Sequence, residues 1–249
     1  MHQRNSDRER PRWRYAAFAV IIAGLALVGV ANLDVTTKQG LNFEVSTHRI
    51  PLYLKAFEFI ERSARYRQIA DEVTSGAMSD TERALKVFEW TRRHIRTTPP
   101  DWPIVDDHIL HIIIRGHGFS DQQADVFATL LTYAGVPAFW AKAQADPTGP
   151  VVILSFARID DRWRVFDVFN GVVFRSATGG LATMNDLRGH PELLPASARS
   201  IEVKGVPYGE IVTKVPMPAV PNPLRAELQM PSARLWYQLK VAVRLTPEP

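Results

Sequence analysis

The stretch from Gly116 to Ala138, "GHGFSDQQADVFATLLTYAGVPA", decides how this 249-residue chain is read. Two glycines mark a turn, and Ser120 stands where a helix would begin. Ala124, Phe127, Leu130, Leu131 and Ala134 then recur at helical spacing, so one face of that helix turns to a core. Gly135 suits the left-handed residue that ends a helix, and Pro137 cannot continue one. Serine at a helix head has two physical uses. Its hydroxyl caps the free amides of the first turn, or it serves as a nucleophile if a base lies beside it.

Working outward, "VVILSFARI" (Val151 to Ile159) and "RWRVFDVF" (Arg162 to Phe169) are β-rich runs about a two-residue turn at Asp160-Asp161, which predicts a hairpin. Asn170-Gly171 turns the chain again into a third strand at "VVF". Upstream, Ser79 with Glu82 three residues on is a capping-box signature, announcing a helix to about Ile95 with Leu85, Phe88 and Ile95 inward. "TTPPDWP" ends it. A further helix is expected over Leu52 to Val73, where Tyr53, Phe57, Ile60 and Ala64 share helical spacing.

With helices, then a hairpin, and a small residue heading the middle helix, the region from Ser79 to Phe174 resembles the transglutaminase-like superfamily. "GFSDQQADVFATLLTYAGVPA" is similar to its helix motif, and "DDRWRVFD" to its strand ending in tryptophan, three residues and aspartate. The resemblance implies an α+β fold, a papain-like core of helices packed on a small antiparallel sheet. It also implies a catalytic cysteine at the helix N-terminus, where dipole and amides favour a thiolate. A histidine base on the first hairpin strand and an orienting aspartate on the next complete that machinery. Carried across, Ser120 falls on the cysteine position, Val152 on the histidine position and Asp167 on the aspartate position.

The chain has no cysteine, and no histidine lies between His117 and His190. The expectation is therefore a pseudoenzyme with no catalytic residues, in which Ser120 is an N-cap and Asp167 accepts hydrogen bonds from backbone or arginine. The alternative is a serine-dependent hydrolase or acyl transferase using Ser120. A Gly-x-Ser-x-Gly elbow fails because Gln122 is not glycine. Asp106, Asp107, His108, His111 and His117 crowd together, but in no metalloprotease order, and no metal or other cofactor is assigned. Trp90, Trp102, Phe127, Trp140 and Trp163 read as core more readily than as a glycan groove.

The formal charge of +4 is concentrated in a tail with Arg4, Arg8, Arg10, Arg12 and Arg14, so the folded part offers no basic nucleic-acid face. Tyr15 to Leu33 carries no charge and, as a helix, would run about 28 Å, which predicts one N-terminal transmembrane helix. A cleaved leader ending near Ala31 is the rival. Arginines before the segment place the rest outside the cytoplasm. The expected layout is a cytoplasmic tail (1–14), an inner-membrane anchor (15–33), a helical region (34–78), the transglutaminase-like domain (79–190) and a proline-rich extension (191–249). In the extension, a β segment is expected around Ile201 to Val215 and a helix over Ser232 to Leu245. Leu235, Trp236 and Leu239 form an apolar stripe expected to bind a partner. The resulting expectation is a periplasmic, single-pass scaffold in envelope or surface-polysaccharide assembly. Its partners would be the membrane and an envelope-assembly complex, with a glycan or peptide possible in the degenerate cleft.

Overall fold

The computed structural model describes residues 12–39, 46–103 and 108–243. Most of the arginine-rich tail lies outside them, as do Asp106, Asp107 and the end of the expected C-terminal helix. The elements form two units, one reaching Glu58 and one running from Phe59 onward.

The first unit holds helix α1 (Arg12–Ala31) and an antiparallel pair, β1 (Asp34–Gln39) with β2 (Ser46–Pro51), then the start of α2 (Leu52–Thr74). Helix α1 stops at Ala31, so its charge-free part, Tyr15–Ala31, is about 26 Å long against a hydrocarbon layer of roughly 30 Å. Among the described residues no helix is long and apolar enough to cross a membrane. That overturns the expected transmembrane helix at 15–33. With it go the single-pass inner-membrane topology, the periplasmic placement and the membrane as a partner.

The second unit is built around a four-stranded antiparallel sheet of β5 (Ala138–Gln144), β6 (Val151–Ile159), β7 (Arg162–Asp167) and β8 (Val172–Val173), in that spatial order. The β6–β7 hairpin pairs Ile159 with Arg162, and Asp160 and Asp161 both adopt positive φ, as its two-residue turn requires. Before the sheet come α3 (Asp80–His94), the short strand β3 (Arg96–Thr97), α4 (Ile109–Arg115), β4 (His117–Gly118) and α5 (Ser120–Tyr133). The α3 cap forms as expected: the Glu82 amide donates to Ser79 Oγ at 3.2 Å. Its reciprocal bond shifts one residue, with the Met78 amide donating to Glu82 at 2.7 Å.

Helix α5 is buried from Gln123 to Tyr133 on every side, not along one stripe. It is the central element of a core that includes Val87, Phe88, Ile95 and Ile112 on one side and Ala157, Ile159 and Phe166 of the sheet on the other. The phenyl rings of Phe88, Phe127 and Phe166 meet at centroid distances of 5.4 to 6.3 Å. Tyr66 and Ala70 face this core from α2, while Ile60 of the expected face is exposed. At the other end of α5, Gly135 takes φ 89°, and the Val136 amide returns to Leu131 at 3.0 Å, closing the helix as expected.

The opposite face of the sheet carries a second core, and here the extension behaves differently from its reading as an appendage. Val152, Leu154, Phe156 and Val165 of the sheet pack with Leu194, Tyr208, Ile211, Val212, Val215 and Leu224. The short helices are α6 (Met184–Leu187), α7 (Ala196–Arg199) and α8 (Tyr208–Val212). The expected β segment at 201–215 is reduced to a two-residue pair, β9 (Glu202–Val203) with β10 (Val206–Pro207), followed by α8. The last helix, α9 (Pro231–Ala242), exposes Leu235, Trp236 and Leu239 by half or more, as does Val243 just after it.

Candidate functional site

The head of α5 sits over β4, whose parallel bridge to β3 seats Gly118 beneath Ile95 and Ile112. A Cβ at Gly118 would stand 3.2 Å from a methyl of each and 3.1 Å from Gln122 Cβ, so the approach to the helix has no room for a side chain. Ser120 is the first residue of the helix, not its cap. The cap is Phe119, whose amide donates to Gln122 Oε1 at 3.0 Å. The Gln122 amide donates to Asp121 Oδ1 at 2.9 Å. The first turn is thus served by Asp121 and Gln122, and the cap role expected of Ser120 belongs to its neighbours.

Ser120, Val152 and Asp167 line one pocket of about 270 Å³. The three positions matched to the superfamily's machinery therefore converge in space although they span 48 residues of sequence. Phe169 and Asn170 form one wall. Ile201, Glu202, Val203 and Lys204 form another, supplied by the extension. Val152 is buried in the second core as an apolar side chain.

Asp167 is almost fully buried, and three donors converge on it. The Asn170 amide reaches Oδ1 at 2.9 Å, the Asn170 carboxamide reaches Oδ2 at 2.8 Å, and the Tyr208 hydroxyl reaches Oδ2 at 2.6 Å. Burial raises its pKa above the ordinary carboxylate value, opposed in part by these hydrogen bonds. Burial raises the Tyr208 pKa in turn, as do the charge and hydrogen bond of Asp167. The turn that delivers Asn170 depends on Gly171, at φ 70°, where a Cβ would overlap the Arg92 guanidinium. Backbone partners were expected for Asp167 and are found. Among the described residues no arginine is a hydrogen-bond partner of Asp167, and Tyr208, in the proline-rich extension, had no signal in the sequence.

Among the described residues lining the pocket there is no histidine. His117, nearest in sequence, turns Nδ1 to the Arg115 carbonyl at 3.2 Å and packs its ring against Trp102. His190 faces Glu192 at 2.8 Å on the surface. His108 and His111 pair edge to face with centroids 5.7 Å apart. No group of three metal-ligating side chains forms among the described residues. The aromatic residues divide in the same way: Phe127 is core, Trp90 stacks on His94, and Trp140 donates to Asp125 at 2.6 Å.

The site thus lies in an α+β arrangement of helices on an antiparallel sheet, and the described residues lining it include neither a thiol nor an imidazole. Residues 67–167 match the model of the transglutaminase-like superfamily, and the chain contains no cysteine. No curated protein matches the chain. Among solved structures it is similar to a candidate cysteine protease of Cytophaga hutchinsonii, at 15% identity and TM-score 0.39 over 48% of this chain and 40% of that one. It is also similar to a candidate protease of Parabacteroides distasonis, at 10% identity and TM-score 0.35 over 55% of this chain and 36% of that one. The chain thus spans well under half the length of either.

Proposed function

We propose that this chain is a catalytically inactive, transglutaminase-like accessory protein that acts by contact with other proteins. The observation that carries the reading is the pocket itself. It holds a hydroxyl, an isopropyl group and a carboxylate already engaged by Asn170 and Tyr208, with no histidine among the described residues lining it. A serine hydroxyl is scarcely ionised at neutral pH and does not attack without an adjacent base. The extension also occupies one side of the old cleft, which leaves little space for an extended substrate.

The contact surface in this reading is α9, whose Leu235, Trp236 and Leu239 stand exposed with no acidic residue in the helix. Burying each such side chain on a partner contributes about 1.5–3 kcal/mol. A setting in envelope or surface-polysaccharide assembly is what the family resemblance suggests, and co-purification with such an assembly is its test. The test of inactivity is direct. Purified protein should turn over no amide, peptide or acyl-transfer substrate, and a fluorophosphonate should leave Ser120 unlabelled. Labelling that disappears in Ser120→Ala would establish the serine-hydrolase alternative instead.

A further inference from the structure

A second pocket, of about 370 Å³, lies beside β7 and α6 and shares no residue with the degenerate site. Its apolar wall is the half-buried indole of Trp163 with the thioethers of Met184 and Met217; its polar side is Thr183, Asn185 and Asp186. From this geometry we infer that the pocket binds a neutral pyranose. Trp163 packs T-shaped with the buried Phe139, centroids 4.9 Å apart, so the core supports the indole from one side. A flat indole matches the C–H face of a sugar ring, and a pocket of this size with an aromatic wall and few polar groups is built for a small ligand.

Asn185 and Asp186 are adjacent, and together offer a donor and acceptors suited to neighbouring hydroxyls. Asp186 is locked before any ligand arrives: its Oδ2 accepts from the Thr183 amide at 2.8 Å and the Thr183 hydroxyl at 2.9 Å. Among the described residues no hydrogen bond or ion pair engages the Asn185 carboxamide, which is exposed. Arg162 and Asp186 are the only charged residues of the lining, and they balance. With no net charge in the lining, nothing selects an acidic ligand over a neutral one, and ligand hydroxyls can donate to Asp186 and accept from Arg162.

Saturation-transfer NMR with methyl glycosides of glucose, galactose, mannose and glucuronic acid tests this on the full chain. At least one neutral glycoside should receive saturation and bind with a millimolar dissociation constant. Asn185→Ala, which removes no contact of the fold, should weaken that binding about tenfold, one lost hydrogen bond in the balance. Trp163→Phe, with its melting temperature measured alongside, should weaken it as well. Ser120→Ala should leave it unchanged. No transfer to any neutral glycoside overturns the assignment, and so does binding of the glucuronide alone. Binding insensitive to both pocket variants, or lost in Ser120→Ala, would also overturn it by moving the ligand elsewhere.

Discussion

At Asp167 the fold holds a carboxylate away from water with three donors and no cation. Its raised pKa makes it a negative contribution to stability that grows with pH. Between the ordinary carboxylate value, about 3.9, and the raised folded value, the native state keeps a proton that the unfolded chain has lost. Stability attributable to this group is therefore highest below that window and falls as pH rises through it. Urea unfolding at a series of pH values should show that slope in the wild type and not in Asp167→Asn; a wild-type-minus-variant difference that rises with pH would refute it. Removing the Tyr208 hydroxyl leaves the carboxylate one donor short, so Tyr208→Phe should cost about 1–3 kcal/mol at neutral pH. Ser120 is different. As the first helical residue, with capping done by Asp121 and Gln122, it should change to alanine within about 0.5 kcal/mol.

At the scale of elements, the extension is two things joined in series. Leu224 and Ala226 are buried, Arg225 pairs with Asp125 of α5 at 2.8 Å, and the Tyr133 hydroxyl donates to the Gln229 carbonyl at 2.8 Å. Only from Pro231 onward does the chain leave the core exposed. Truncation after Met230 should keep the melting temperature near that of the full chain. Truncation after Val220 should lower it by several degrees, since two buried side chains and a half-buried ion pair go together. Equal melting temperatures for the two would mean that residues 221–230 are not part of the core. The proline-rich composition of 191–249 marked it as an extension, and the sequence carries no mark of the long-range packing that makes residues 224–229 structural. Strand β5 was hidden for a related reason. "AFWAKAQ" has no β-branched residue, and tertiary pairing with β6 sets its conformation. What the sequence did expose was local: the α3 cap, the Asp160-Asp161 turn, the Gly135 stop. Those features depend on residues within one turn of each other, and the proposed correspondence of Ser120, Val152 and Asp167 rests on them.

For the molecule as a whole, the proposed inactivity rests on more than one missing thiol. The hairpin and α5 bring the three positions to one pocket, which residues 201–204 of the extension also line, and Tyr208 donates to Asp167. Rebuilding the residues alone should therefore fail. In a Ser120→Cys, Val152→His variant, the thiol gains the favourable field at the head of α5, and its pKa should fall below the usual value of about 8.5. The new imidazole, however, would stand in an apolar core, where burial favours its neutral form. Its orienting carboxylate is already engaged by three donors. Iodoacetamide should therefore alkylate the introduced thiol faster than an ordinary one, while amide and acyl-transfer turnover stays at background. Adding Tyr208→Phe frees one lone pair of Asp167 but leaves the wall of 201–204 in place, so turnover should still be absent. Measurable turnover in the double variant would show that the cleft remains open and competent, and that this chain lost its chemistry through side chains alone.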